Sequence, residues 1–181
     1  MSRTTYYTAT TLDGFLADEH HSLDWLVRQD VDKTGPGNYD DFIARVGAII
    51  MGASTYEWVL KHHVAEGEPW FYTQPSWVFT HRQFAKPDGA DIRFVSGDVR
   101  AVHADAASAA TGKDIWIVGG GDLAGQFADA GLLDDILVSI APVTLGAGAP
   151  LLPRRLDLRL REVAQNRAFV AASYDIVGRL A

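Results

Sequence analysis

The sequence predicts an α/β fold, with a mostly parallel central sheet of about eight strands, helices on both faces and an antiparallel C-terminal edge. Three observations carry that reading. Short apolar runs alternate with amphipathic segments through the middle of the chain, the pattern of strand–helix–strand units. Several of those runs stop at glycine or threonine just before a helix, as at Met51-Gly52 and Val118-Gly119-Gly120-Gly121. The last two runs, Leu158 to Gln165 and Phe169 to Val177, flank Asn166-Arg167 and read as an antiparallel pair.

In order, Arg3 to Thr10 is rich in Thr and Tyr and reads as the first strand. Thr11 to Asn38 is a long polar loop with aromatic anchors at Phe15 and Trp25, and loops of that length are usually functional or mobile. Asp40 to Val46 is a short helix with Asn38 as its N-cap. Ala48 to Met51 is a buried strand that ends at Gly52, and Ser54 or Thr55 can cap a helix reaching Leu60. Glu66 to Pro75 is an aromatic loop containing Trp70, Phe71 and Tyr72, which serve either as core or as a lid. Trp77 to Thr80 is a strand that leads into His81 and Arg82. Ile92 to Val95 is another, and Ser96-Gly97-Asp98 turns into a helix from Val99 to Ala110. Asp114 to Val118 and Leu123 to Ala130 form a strand and helix around three glycines. Ile136 to Ile140 is a strand that meets Pro142, and Leu145 to Pro150 is a turn. No repeat, low-complexity tract or linker divides the 181 residues, so one domain over 1–181 is expected.

Composition removes several classes of function. The formal net charge of −7 argues against nucleic acid, whose phosphates require clustered Lys and Arg. There is no cysteine, hence no disulfide framework or thiolate chemistry. The six histidines show neither His-x-His nor His-x-x-x-His spacing, so no metal site is expected. Most of them, the His20-His21 and His62-His63 pairs included, read as solvated surface residues. His81 carries more weight because it leaves a strand toward the ligand edge. No signal-type segment opens the chain, and no apolar stretch approaches the roughly 18 residues that span a bilayer. A cytoplasmic protein is the expectation.

The segment from Trp116 to Leu123 is the most informative. A strand that ends in glycines and feeds a helix N-terminus is ready to hold an anion, because the backbone can come close and the first N–H groups point outward. Gly119, Gly121 and Gly125 do not make the Rossmann fingerprint, which needs an acidic residue about 20 positions on, where Leu137 to Ile140 is apolar. The choice is between a nucleotide phosphate site of another kind and a tight turn without ligand. In open parallel sheets ligands bind at the carboxyl ends of strands. The junctions at Gly52, Thr80 and Gly119 all lie at such ends and form one groove if their strands are neighbours. Among carboxylates, Asp13 follows the first strand in an Asp-Gly turn, and Asp40 and Asp41 open a helix where they complement its dipole. A carboxylate facing an apolar cleft would instead donate a proton or clamp an amino-heterocycle.

Taken together the residues resemble the dihydrofolate reductase-like proteins, in the branch that contains the reductase domain of riboflavin biosynthesis and its stand-alone relatives. Leu12-Asp13-Gly14-Phe15-Leu16-Ala17 and Leu23-Asp24-Trp25-Leu26 resemble the family's first strand end and mobile loop. Met51-Gly52-Ala53-Ser54-Thr55-Tyr56-Glu57 is similar to its Gly-Arg-x-Thr-Tyr-Glu segment. Trp77 to Arg82, Ile115 to Gly121, Ala130 to Asp135 and Pro142 to Leu152 resemble the rest. The resemblance implies NADPH as cofactor. By position, Ala9 and Leu16 contact the nicotinamide amide through their backbones. Gly52, Ala53, Ser54 and Thr55, with Gly119, Gly120, Gly121, Asp122, Leu123 and Ala124, hold the phosphates. Thr80, His81 and Arg82 meet the adenosine end. One peptide bond of the glycine pair is expected to be cis. Trp25 of the mobile loop and Phe42 of the helix after it would face the substrate, with Asp13 and then Asp41 as candidate acids.

Two departures qualify the match. Val118 stands where the riboflavin branch usually carries Glu, which weakens an aminouracil ribosyl phosphate as substrate. Ala53 stands in place of the Arg that grips a 2′-phosphate. The resulting expectation is an NADPH-dependent reductase of a small pterin-like or pyrimidine-like substrate. The alternatives are a non-catalytic nucleotide-binding protein of the same fold and the reductase for 5-amino-6-(5-phosphoribosylamino)uracil itself. The resemblance further suggests a homodimer, and the apolar, glycine-rich stretch from Pro142 to Pro153 is the candidate contact surface.

Overall fold

A computed structural model describes residues 2–180. Its frame is an eight-stranded sheet. The strands in chain order are β1 (Thr4–Thr11), β3 (Val46–Gly52), β4 (Ser76–Phe79), β5 (Ile92–Val95), β6 (Asp114–Gly119), β7 (Asp135–Ala141), β9 (Leu156–Asn166) and β10 (Phe169–Arg179). A separate two-stranded ribbon pairs β2 (Phe15–Ala17) with β8 (Ala149–Pro150). The helices are α1 (Asp24–Val27), α2 (Tyr39–Ile43), α3 (Ala53–His62), α4 (Val99–Ala109) and α5 (Gly121–Asp129).

Across the main sheet the order is β5-β4-β3-β6-β1-β7-β10-β9. The strands from β5 to β7 run parallel, and β10 is antiparallel to both β7 and β9. The predicted architecture therefore holds. The parallel strands read as near-continuous apolar runs because both faces are covered. On one face Val102, Ala106, Leu123 and Phe127 of α4 and α5 pack on Tyr6, Ile50, Trp77 and Ile117. On the other, Phe42 of α2 and Tyr56 and Val59 of α3 pack on Ile49, Met51, Val78 and Trp116.

The caps explain where several helices begin. The Asn38 side chain accepts a hydrogen bond from Asp41 N, as its residue type predicts, and Asp98 accepts one from Arg100 N at the start of α4. The expectation that Ser54 or Thr55 caps α3 is corrected. Helix α3 starts earlier, Gly52 is its N-cap, and no side chain caps it, so both hydroxyls stand inside the first turn. The β2–β8 ribbon falls where a bare loop and a turn were expected. A two-residue strand has no periodicity of its own, and its pairing depends on contacts such as Leu151 N donating to Gly14 O at 2.8 Å.

Neighbouring order decides the groove. β4, β3 and β6 are adjacent and parallel, so their carboxyl ends share one edge. Met51 lies beside Gly119 and Gly52 beside Phe79, which brings the junctions at Gly119, Gly52 and Thr80 into one row.

Candidate functional site

At this edge lies a cavity of about 420 Å³. Its floor is the end of β1 (Tyr7, Thr8, Ala9) and of β6 (Trp116, Val118, Gly119). One side is the first two turns of α3, with Ser54, Thr55 and Trp58, and the other is the chain around Leu16, His21, Leu23 and Leu26. Phe71 and Tyr72 close the far wall, so the aromatic loop contributes a wall as well as packing. Trp70 instead packs on Tyr56 at a ring distance of 5.7 Å.

The aromatic wall is built as a lattice. Tyr72 meets Trp116 edge-on at 5.6 Å, Trp116 Nε1 donates to Tyr7 O at 3.0 Å, and Tyr7 stacks on Phe42 at 4.2 Å. Such pairs prefer fixed geometries, which gives the cavity rigid flat surfaces. Burial, with the nearby Tyr39 and Asp40, pushes the Tyr7 phenol up to about 12, and its OH donates to Gly37 O at 2.9 Å. Burial likewise raises the Tyr72 phenol. Among the described residues no Asp, Glu, Lys or Arg lines this cavity.

The glycine junction beside it has a division of labour. The Gly119–Gly120 peptide is cis. A Cβ on Gly120 would meet nothing within 4 Å, so the backbone there borders open space. A Cβ on Gly121 would collide with the carbonyl oxygens of Pro150 and Leu151, so that glycine serves close packing. Helix α5 carries no side-chain cap. Asp122, which could have competed with a phosphate for the helix end, turns away to accept from Gln126 Nε2 and Arg154 Nη2, both at 2.9 Å. These side-chain bonds from Gln126 and then Arg154 hold its carboxyl below the usual range. The N–H groups at Gly121, Asp122 and Leu123 open the helix and have no intrahelical acceptor. Ala124 is removed from that set, because its N–H bonds Gly120 O at 3.1 Å.

The sequence-derived residues divide accordingly. Ala9, Leu16, Ser54, Thr55, Gly119 and Gly120 come together around the cavity. Gly52 lies against Gly119 and Gly120, with Ala53 next to it opening α3. Thr80, His81 and Arg82 sit further along the same edge, just past β4. Arg82 is half-exposed, pairs with Glu57 at 3.0 Å and lies over Phe84.

Four residues need correction. Asp13 does not line the cavity. Its carboxylate accepts from Thr11 Oγ1, Leu145 N and Gly146 N, and those bonds, the Thr11 one foremost, lower its pKa. It clamps the loop after β7. Asp13→Ala is therefore expected to speed hydrogen exchange at the Leu145 and Gly146 amides, and unchanged exchange would contradict the clamp. Asp41 faces a second cavity of about 250 Å³ between α2 and the β7–β10–β9 face, where it accepts from Asn38 Nδ2. Phe42 is buried under Tyr7 and reaches the main cavity only through that ring. Trp25 is buried in a satellite core with Ala141 and Phe169, and anchors the mobile-loop segment from beneath. The sequence reading missed His21 and Trp58 as lining residues. His21 looked like half of a solvated pair, and Trp58 carried no motif that singled it out.

The pattern of the RibD C-terminal domain matches residues 4–168. The chain belongs to that family. Among its members' relatives is the uncharacterized protein YwjB of Bacillus subtilis, 34% identical over 177 residues, covering 95% of this chain and 97% of that one. Among solved structures, a Shewanella sp. PV-4 protein with a provisional riboflavin-biosynthesis description superposes with a TM-score of 0.79 at 24% identity, covering 96% and 98% of the two chains. Dihydrofolate reductase from Enterococcus faecalis, solved with NADP(H), superposes with a TM-score of 0.56 at 12% identity, covering 97% and 96%. These structural likenesses establish the dihydrofolate reductase-like fold. No helix among the described residues is long and apolar enough to cross a membrane.

Proposed function

We propose that this RibD C-terminal family member is an NADPH-dependent reductase of a small planar heteroaromatic compound, pterin-like or pyrimidine-like. The observation that carries the reading is the uncapped, glycine-led start of α5 directly beside an apolar, aromatic-walled cavity. An anion belongs at the first and a flat ring in the second. The open space over Gly120 fits a diphosphate, since a side chain there would fill it. The N–H groups of Gly121 to Leu123, with Gly52 to Thr55, would hold the phosphates, and the backbones of Ala9 and Leu16 the nicotinamide amide. Bound there, the cofactor supplies a hydride. The chain orients both rings and excludes water. The Enterococcus reductase solved with NADP(H) supports this choice of cofactor.

Val118 and the lack of a Lys or Arg among the described residues lining the cavity speak against the ribosyl phosphate substrate of the Thermotoga maritima deaminase/reductase, a fold neighbour at 16% identity. The lack of a lining carboxylate is the feature that favours a non-catalytic nucleotide-binding protein as the second reading. Following NADPH oxidation with a panel of pterins and aminopyrimidines separates them. Turnover of at least one acceptor supports the reductase, and none with NADPH bound supports the second reading.

Arg82 is the cation placed for a 2′-phosphate, because Ala53 replaces the other one. Its fork can make two charge-assisted bonds, but Glu57 already holds it. At about 1.5–3 kcal/mol for a hydrogen bond to a charged group, Arg82→Ala should weaken NADPH roughly ten- to a hundredfold. NADH should barely change. Equal loss for both cofactors would place Arg82 in support of the fold or the diphosphate.

We also propose a homodimer, through a different surface from the one expected. The larger apolar side chains of Pro142 to Pro153 turn inward, Val143 and Leu145 onto the satellite core and Leu151 and Leu152 onto the main one, while Pro142, Thr144, Gly146, Pro150 and Pro153 are exposed. Exposed apolar side chains cluster on the C-terminal hairpin, at Leu158, Leu160, Val163, Val170 and Val177. Leu158, Leu160 and Val163 pair with Ile176, Tyr174 and Ala172 and so share one face. Light scattering should return twice the 19.7 kDa chain mass, and Leu160→Glu should return the monomer. A monomeric wild-type protein would contradict this.

A further inference from the structure

The acceptor cavity is left with no obvious proton source once Asp13 and Asp41 are placed elsewhere. We infer that His21 is the proton donor of the reaction, delivering its proton to the nitrogen of a C=N bond in a planar acceptor. This inference rests on the reductase reading.

Among the described residues, the titratable side chains lining the cavity are Tyr7, Tyr72 and His21. The two phenols are held protonated by burial, and the Tyr7 OH is spent on Gly37 O. Histidine is the side chain that exchanges protons near neutral pH. The turn that presents His21 is well tied. Asp18 accepts from His20 N at 2.8 Å and from Ser22 N at 2.9 Å, and His21 N donates to Asp18 O at 3.1 Å. Within this turn His21 adopts a left-handed backbone, φ 60°, and is the histidine of its pair that lines the cavity. Trp25 pins the same segment to the satellite core, while Leu23 and Leu26 meet the cavity beside it. His21 is also exposed on its outer side, which gives it a route to solvent protons.

The lining explains the acceptor class. With flat walls at Trp58, Tyr72 and Trp116 and no Asp, Glu, Lys or Arg among the described lining residues, a cationic acceptor would lose hydration without an ionic partner. The addition balances across one C=N bond. The bound cofactor would supply the hydride to the carbon and be oxidised by two electrons, which leaves the displaced electron pair on the nitrogen. The proton of the His21 imidazolium bonds that nitrogen. The neutral imidazole left behind takes a proton from solvent.

Two measurements test this. Carbethoxylation by diethyl pyrocarbonate, mapped by mass spectrometry, should slow severalfold at His21 when NADP+ and a bound pteridine saturate the protein, with His20 and His62 unaffected. His21→Gln should keep NADPH affinity and KM but lower kcat by about a hundredfold, the low end of what a general acid contributes. Unshielded His21, or normal turnover by His21→Gln, overturns this inference while leaving the reductase reading intact. Failure of wild-type protein to reduce any acceptor overturns both.

Discussion

Gly120→Val is expected to abolish NADPH binding while leaving the protein folded. Gly120 has φ −90° and ψ 179°, an extended conformation open to any residue. A Cβ there meets no protein atom within 4 Å, so the added bulk intrudes on the ligand space over α5 and not on the core. A diphosphate relies on close approach to backbone N–H groups, and a branched side chain just before the first of them keeps it away. Calorimetry should detect no binding, and the thermal midpoint should stay near the wild-type value. The smaller Gly120→Ala separates the cases if the valine form melts early. Wild-type affinity in a folded variant would remove the phosphates from this helix.

Asp135→Ala should lower stability by roughly 2–4 kcal/mol, slightly under the usual cost of breaking a buried ion pair because Arg3 keeps part of its hydration. Asp135 is 3% exposed at the start of β7. Its carboxylate accepts from Thr5 Oγ1 and from Arg3 Nε at 2.8 Å, and Arg161 Nη1 lies 3.3 Å away. Arg3 and Arg161 also reach Asp175, so one cluster ties β1, β7, β9 and β10 together. Removing the central carboxylate leaves a buried hydroxyl unpaired and two guanidiniums sharing Asp175. In urea the midpoint should fall with the slope unchanged. A loss below about 1 kcal/mol would reduce the cluster to ordinary surface pairs. Its pH dependence has a defined sign. Burial pushes Asp175 up, but the Arg159 hydrogen bond and the charges of Arg161 and Arg3 outweigh it and hold the carboxyl below its usual value. The stability it contributes is present above the unfolded carboxylate range and is lost as pH falls through the lowered folded value.

The fold was legible because its information is local. Buried parallel strands announce themselves as apolar runs, and glycine and Asn38 mark where helices start. The ligand edge followed from the strand–glycine–helix junctions, because carboxyl ends of parallel strands share one side. Side chains whose partners lie far along the chain were misread. Asp13 looked free until Leu145 and Gly146 were placed against it. Trp25 resembled a substrate-facing anchor, but Phe169 and Ala141 bury it. Residue type alone does not distinguish His21 from His20; in the Asp18 turn it is His21 that lines the cavity. Ser54 and Thr55 read as caps because their residue type favours that position, whereas Gly52 takes it and frees both for the cavity.

The central claim is that a nicotinamide dinucleotide lies along this edge with its ring in the aromatic cavity. A crystal structure of the protein with NADPH tests it most directly. The account predicts the diphosphate on the N–H groups of Gly121, Asp122 and Leu123, the adenosine toward Thr80 and Arg82, and the nicotinamide beside Ala9 and Leu16, facing Trp116. A dinucleotide bound elsewhere, or one whose nicotinamide lies outside the cavity, would contradict it.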